Sequence, residues 1–215
     1  MNFMYSSLMK ALIISILHLL YSSFFSIFLQ FYVKCEGHVT VVQHNLPSSG
    51  IEVQRIVTPD GHKSPIRYQF AEVEQLKELI KVSRSCVQEV KFECRNARLT
   101  DNQGNLMSYW ISRDGASMNY WGGAEGWKGC VCGMSGNCAG GPNAKCNCDK
   151  ADNTLRSDSG PIFDKNHLPV TEIRIGGNSH RMRARFYLWP LRCSTYHYGI
   201  LYEIYFVMLS LCSFL

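Results

Sequence analysis

Residues 130–148 read Cys130-Val-Cys132-Gly-Met-Ser-Gly-Asn-Cys138-Ala-Gly-Gly-Pro-Asn-Ala-Lys-Cys146-Asn-Cys148, five cysteines within nineteen positions. Three more, Cys86, Cys94 and Cys193, flank this segment, so eight of the ten cysteines lie between 86 and 193. A stretch this rich in Gly and Asn and poor in apolar runs cannot hold itself together by burial alone. Sulfur bridges are the expected fastening, and they place the working form outside the cell or in the secretory lumen, where thiols are not kept reduced.

Zinc and redox chemistry are the competing uses of such a cluster. Zinc sites favour Cys-x-x-Cys, which turns both sulfurs toward one tetrahedral ion, whereas a Cys-x-Cys pair in extended chain points its sulfurs to opposite faces. Opposite faces suit two separate bridges. Cys-x-x-Cys, the usual redox motif, is absent. Pairing stays open, because eight cysteines allow about 105 connectivities.

Outward from the knot, the chain of 215 residues is 46% hydrophobic, enough for one ordinary core, but much of that content sits at the ends. Residues 11–33 read ALIISILHLLYSSFFSIFLQFYV without a formal charge, between Lys10 and Lys34. At ~1.5 Å per residue this run could cross a ~30 Å hydrocarbon layer, and it is longer than a cleavable signal core needs. Residues 1–34 are therefore expected to act as a signal anchor or a signal peptide. Residues 194–215 form a second apolar tail, short and interrupted by Glu203. Residues 35–193 read as one unit on the oxidising side.

The formal charge of +5 comes without any long basic run, so no nucleic-acid partner is expected. The basic residues gather once, as Arg181-Met-Arg183-Ala-Arg185-Phe. In a strand, period two puts Arg181, Arg183 and Arg185 on one face and Met182, Ala184 and Phe186 on the other. That face is expected to be solvated, or else to meet an anionic partner such as a sulfated glycan or an acidic protein surface.

The middle of the chain is mostly β with one helix. Residues 71–82 place Val73, Leu76, Leu79 and Ile80 on one stripe and pair Glu74 with Lys77 and Glu78 with Lys81. Strands are expected over 39–43, 66–70, 90–94, 170–175 and 182–188, the third burying Val90, Phe92 and Cys94 together. Asp114-Gly115, Gly122-Gly123 and Gly140-Gly141-Pro142 mark turns.

The run from Cys86-Val-Gln-Glu-Val90-Lys-Phe-Glu-Cys94 through Tyr109-Trp110-Ile-Ser-Arg113 and Tyr120-Trp121-Gly-Gly123 resembles the fibrinogen C-terminal-like module of the contactin-associated protein and neurexin IV family. The resemblance continues through Cys130-Val-Cys132, Cys138, Cys146-Asn-Cys148-Asp149 and His167-Leu-Pro-Val170 to Pro190-Leu-Arg-Cys193, about three quarters of the chain. It implies an α+β, β-rich, disulfide-stapled domain with one amphipathic helix, N-terminally incomplete, from a single-pass adhesion receptor of the cell membrane or cell junction. Cys86, Cys94, Cys130, Cys132, Cys138, Cys146, Cys148 and Cys193 would be bridged, and the partner would be a contactin-like cell-surface protein. The family's bond to Cys35 comes from a cysteine upstream, and residues 1–34 contain none, so Cys35 is expected to lack that mate. Leu155 and Trp189 stand where the family has Trp and Gly.

Fibrinogen-related lectins read acetylated sugars with aromatic pockets, so a secreted glycan-binding module is the alternative. Trp110, Tyr120 and Trp121 are the aromatic contact candidates, with one ring of each adjacent pair expected inside and one outside. Asp149, Asp152 and Asp158 offer calcium ligands, though their spacing is not that of an EF-hand loop. No catalytic motif is present: there is no Gly-x-Ser-x-Gly, His-Glu-x-x-His, P-loop or Gly-x-Gly-x-x-Gly, and a bridged cysteine is no nucleophile.

Overall fold

The computed structural model describes residues 33–194 apart from 59, 60, 102 and 178. Its spine is β5 (Ser85–Arg95), eleven residues whose even positions Cys86, Gln88, Val90, Phe92 and Cys94 are all buried. Alternation over this length makes the strand two-faced, and both of its edges are paired. On one edge runs β8 (Arg156–Ile162), with Gln88 opposite Ile162 and Cys94 opposite Arg156. On the other edge β10 (Arg183–Leu188) and β11 (Leu191–Ser194) follow one another, covering the second and first halves of β5.

The register changes between those two. Leu188 faces Val90 and the Trp189 N–H donates to the Glu89 carbonyl at 3.0 Å, but Arg192 faces Val87, so one extra residue is absorbed at Trp189-Pro190. This is a β-bulge, and it suits a proline, which has no N–H to offer the ladder. The outer strands are β3 (Ile51–Gln54) on β10, and β2 (Val39–Val42) on β11 with β1 (Lys34–Glu36) beyond it. All pairings are antiparallel.

A second antiparallel sheet orders β4 (His62–Pro65), β9 (Glu172–Ile175), β6 (Ser108–Ile111) and β7 (Ser117–Met118). Helix α1 (Val73–Val82) buries Leu76, Leu79 and Ile80 and leaves Val73 half-buried. Its expected ion pairs form at 2.9 Å (Glu74–Lys77) and 3.3 Å (Glu78–Lys81). Glu72 and Gln75 close a capping box that starts the helix at 73 rather than 71.

The strand expected over 66–70 does not form. Ile66 and Tyr68 alternate inward, but Tyr68 makes only a single bridge to His44, and Phe70 turns away at φ 57° with 70% of its surface exposed. The strand of this region is β4, just before it. Tyr68 serves a buried polar node instead: its hydroxyl donates to the Val170 carbonyl at 2.8 Å and accepts from Gln88 Nε2 at 2.9 Å. Gln88 also accepts from the Val170 N–H at 3.1 Å and donates to the Trp189 carbonyl at 3.2 Å. Every polar atom of this fully buried amide is used, which offsets the cost of taking it out of water.

Residues 1–32 and 195–215 lie outside the described residues, so the apolar segment over 11–33 and the tail over 194–215 fall there almost entirely. Among the described residues no helix is long and apolar enough to cross a membrane.

Candidate interaction surface

The sulfur knot joins elements that the sheets leave loose. Cys86 and Cys193 face each other directly across β5 and β11, Cα atoms 4.1 Å apart. Cys94, near the far end of β5, binds Cys148, while Cys130 binds Cys146 and Cys132 binds Cys138. Each Cys-x-Cys pair thus feeds two separate bridges, though not from extended strand. Cys132 lies in the one-turn helix α2 (Val131–Met134) and Cys148 opens a 3₁₀ turn, Cys148–Lys150. Cys35 is also disulfide-bonded, although residues 1–34 offer no cysteine to take the place of the upstream mate.

The three carboxylates expected as calcium candidates are engaged with the protein. Asp158 is buried and accepts the N–H groups of Asn147 and Cys148, both at 2.9 Å. Asp149 accepts from Leu99 N–H, Thr100 N–H and the Thr100 hydroxyl at 3.0, 2.9 and 2.7 Å. Burial pushes both carboxyls above the usual range, while these donors pull them back. Asp152 pairs with Arg156 at 2.6 Å, and that guanidinium holds its carboxyl down at about 2. Two loops, around 99–100 and 146–148, are therefore tied down by carboxylates that sequence reading offered to a metal. Cys130, Cys146 and Asp158 do converge within ligand distance, but both sulfurs are spent in one bridge.

Trp110, Tyr120 and Trp121 are not on the surface. They are 0%, 4% and 2% exposed, and Tyr109 is buried with them, so neither aromatic pair splits one ring in and one ring out. Tyr109 and Trp110 are buried together because β6 has cover on both faces, all four of its residues being buried, whereas Tyr120 and Trp121 follow β7 outside any strand, where the two-residue alternation does not apply. Trp110 donates from Nε1 to the Tyr120 carbonyl at 2.7 Å and meets the Tyr120 ring edge-on at 5.3 Å. Trp121 packs on Phe92 of the first sheet at 5.4 Å while its Nε1 donates to Ser108 of the second at 3.3 Å. It is a joint between sheets, and its side chain is not available to a partner or a sugar.

The arginine stripe does face outward. Met182, Ala184 and Phe186 are buried, Arg181 and Arg183 are exposed, and Arg185 is partly covered by an ion pair with Glu52 of β3 at 2.7 Å. That pair holds the Glu52 carboxyl below its ordinary range. Period two carries the same face on to Tyr187 and Trp189, whose rings stack at 5.9 Å and 26°. The Tyr187 hydroxyl donates to Glu93 at 3.1 Å and its ring lies 5.3 Å from the Lys91 ammonium. Tyr187, Trp189 and the β5 residues Lys91, Glu93 and Arg95 escape a reading that stops at Phe186. The signal that finds Tyr187 and Trp189 is the same alternation, followed three residues further, whereas Lys91, Glu93 and Arg95 are placed there by the pairing of β5 with β10.

No protein-family model matches the chain. Among curated proteins it is 37% identical to contactin-associated protein 1 of Mus musculus over 131 residues, and 38% identical to that of Homo sapiens over the same length. Contactin-associated protein 1 is a homologue of this chain. Neurexin-4 of Drosophila melanogaster matches over 177 residues at 32% identity, 76% of this chain. The chain spans 9% of the length of the mouse and human relatives and 14% of the fly one. Within this contactin-associated protein homologue, the matched portion amounts to 60% of the chain for the mammalian proteins.

Proposed function

We propose that the chain is a non-catalytic extracellular adhesion module of fibrinogen C-terminal type, held at the cell membrane through residues 11–33 and engaging a contactin-like surface protein. The observation that carries this reading is the similarity to contactin-associated protein 1, a protein named for its association with contactin. Four bridges among the described residues support it in two ways. They require an oxidising compartment, and three of them fix the loops of residues 94–148 before any partner arrives, so less conformational entropy is lost on binding. A glycan-binding function finds no support in Trp110, Tyr120 or Trp121, which are core residues.

The test is a cell-binding measurement. Eukaryotic cells displaying the full chain with its bridges intact are expected to bind cells displaying a contactin and to leave parental cells bare. Equal binding to both, or to neither, would remove the contactin-like partner from the reading.

A further inference from the structure

Resting on the adhesion reading, we infer that the outward face of β10, Arg183-Arg185-Tyr187, continued by Arg181 in the turn before it and Trp189 in the bulge after it and with Arg95 beside it, is the docking stripe, and that its occupant is an acidic segment of a protein partner. The rungs of this face differ in charge. In one rung Arg185 lies between Glu52, with which it pairs, and Glu93, which pairs with Lys91 at 2.6 Å and accepts the Tyr187 hydroxyl. In the next, Arg183 lies directly opposite Arg95, with only Gln54 on its other flank. Among the described residues neither Arg95 nor Arg183 makes an ion pair or a side-chain hydrogen bond.

Like charges directly opposite across a strand pair repel. Two adjacent guanidinium forks also match the geometry of carboxylate groups, which they can grip bidentately. The face therefore lacks negative charge at one rung, and a partner that brings a carboxylate there removes the repulsion. A polysulfated glycan fits worse, because Glu52 and Glu93 in the adjoining rung would repel its next sulfate. Toward the bulge the stripe changes character. Trp189 is 41% exposed and stacked on Tyr187, a rigid aromatic step beside the charges. Arg, Tyr and Trp are the residue types that dominate binding energy at protein interfaces. The occupant is thus an acidic peptide segment with an apolar side chain about six positions from its carboxylates, the separation of Trp189 from Arg183 along the strand at ~3.3 Å per residue.

The probe is an immobilised random copolymer of glutamate and tyrosine, with a heparin surface in parallel. The full chain is compared with Arg95→Gln/Arg183→Gln, with Trp189→Ala, and with Lys63→Gln as a control from the other sheet. Intact mass without reductant confirms the bridges in each. The wild type is expected to bind the copolymer and to weaken steeply as ionic strength rises from about 0.05 to about 0.5 M. The double arginine variant and Trp189→Ala should each bind about tenfold more weakly, and Lys63→Gln as the wild type does. Absence of copolymer binding, variants that bind normally, or a preference for heparin that Trp189→Ala leaves unchanged would overturn the proposal. Contactin-bearing cells separate the two readings. A chain carrying all three substitutions that still binds them as the wild type does discards the stripe and keeps adhesion, whereas a wild type that binds none discards the adhesion reading itself.

Discussion

The backbones of Gly122 and Gly160 touch: a Cβ built on Gly122 would sit 1.8 Å from the Gly160 carbonyl oxygen, far inside any real contact. The turn after Trp121 can approach β8 only because neither residue has a side chain, and the adjacent Gly123 N–H donates to Pro161. Gly122→Ala must push backbone from backbone, at a cost of about 2 to 4 kcal/mol. A melting curve followed by near-ultraviolet circular dichroism should show a clear fall. Gly115→Ala, where nothing lies within 4 Å, is the comparison at an open site, its own positive φ adding only local strain.

Gln88→Leu keeps the volume of the side chain but strands the Val170 N–H and the Trp189 carbonyl in the core. A loss of about 1 to 3 kcal/mol is expected for these orphaned groups. Urea unfolding reads it directly, and an unchanged midpoint would show that the node is not what holds the bulge.

The bridges should differ in worth. Cys86–Cys193 closes a separation of 107 residues and Cys132–Cys138 one of 6. In the chain-entropy picture these correspond to about 4 to 5 and about 2 kcal/mol. Paired Cys→Ala variants of each, compared by denaturant midpoint, should rank in that order, and equal losses would argue that strain or residual structure outweighs loop length.

Acid should weaken the fold before the carboxylates titrate. Burial pushes the imidazoles of His44 and His62 below their ordinary value of 6.5, so the unfolded chain binds protons that the folded one refuses. Stability therefore falls as pH drops through and below about 6.5. Melting temperatures between pH 7.5 and 5 should show this slope, flattened in His44→Phe/His62→Gln. A slope that survives both substitutions would place its origin elsewhere.

Where side chains alternate cleanly, sequence was sufficient. Met182, Ala184 and Phe186 disclose β10 because nothing else competes for their face, and Leu76, Leu79 and Ile80 disclose the helix for the same reason. Strand β8 is the opposite case, since Asp158, Gly160 and Pro161 all argue for a turn. It is a strand only because its partners accept each of these: N–H groups from 147 and 148 meet the carboxylate, Gly122 fills the space over Gly160, and the proline sits on an edge strand with no further ladder to supply. The burial of Trp110 and Trp121 was equally hidden. Adjacent aromatics alternate by rule in a strand with one wet face, but β6, which carries Trp110, has none, and Trp121 lies outside any strand. The outward stripe was half visible, since its arginines announce themselves in one strand while their counterparts Glu52, Glu93 and Arg95 come from two others.

Strands β1 and β11 are separated only by β2, and Arg192 reaches across it to Glu36 at 2.8 Å. Lys34 lies level with Arg192 and Glu36 with Ser194, so residues 34 and 194 leave the sheet about 12 Å apart, two strand spacings across and two residues along, at one edge. In a longer polypeptide, tension running along the chain would pass through that clasped border and around the rest of the body. The stripe on β10 would stay undeformed under that load.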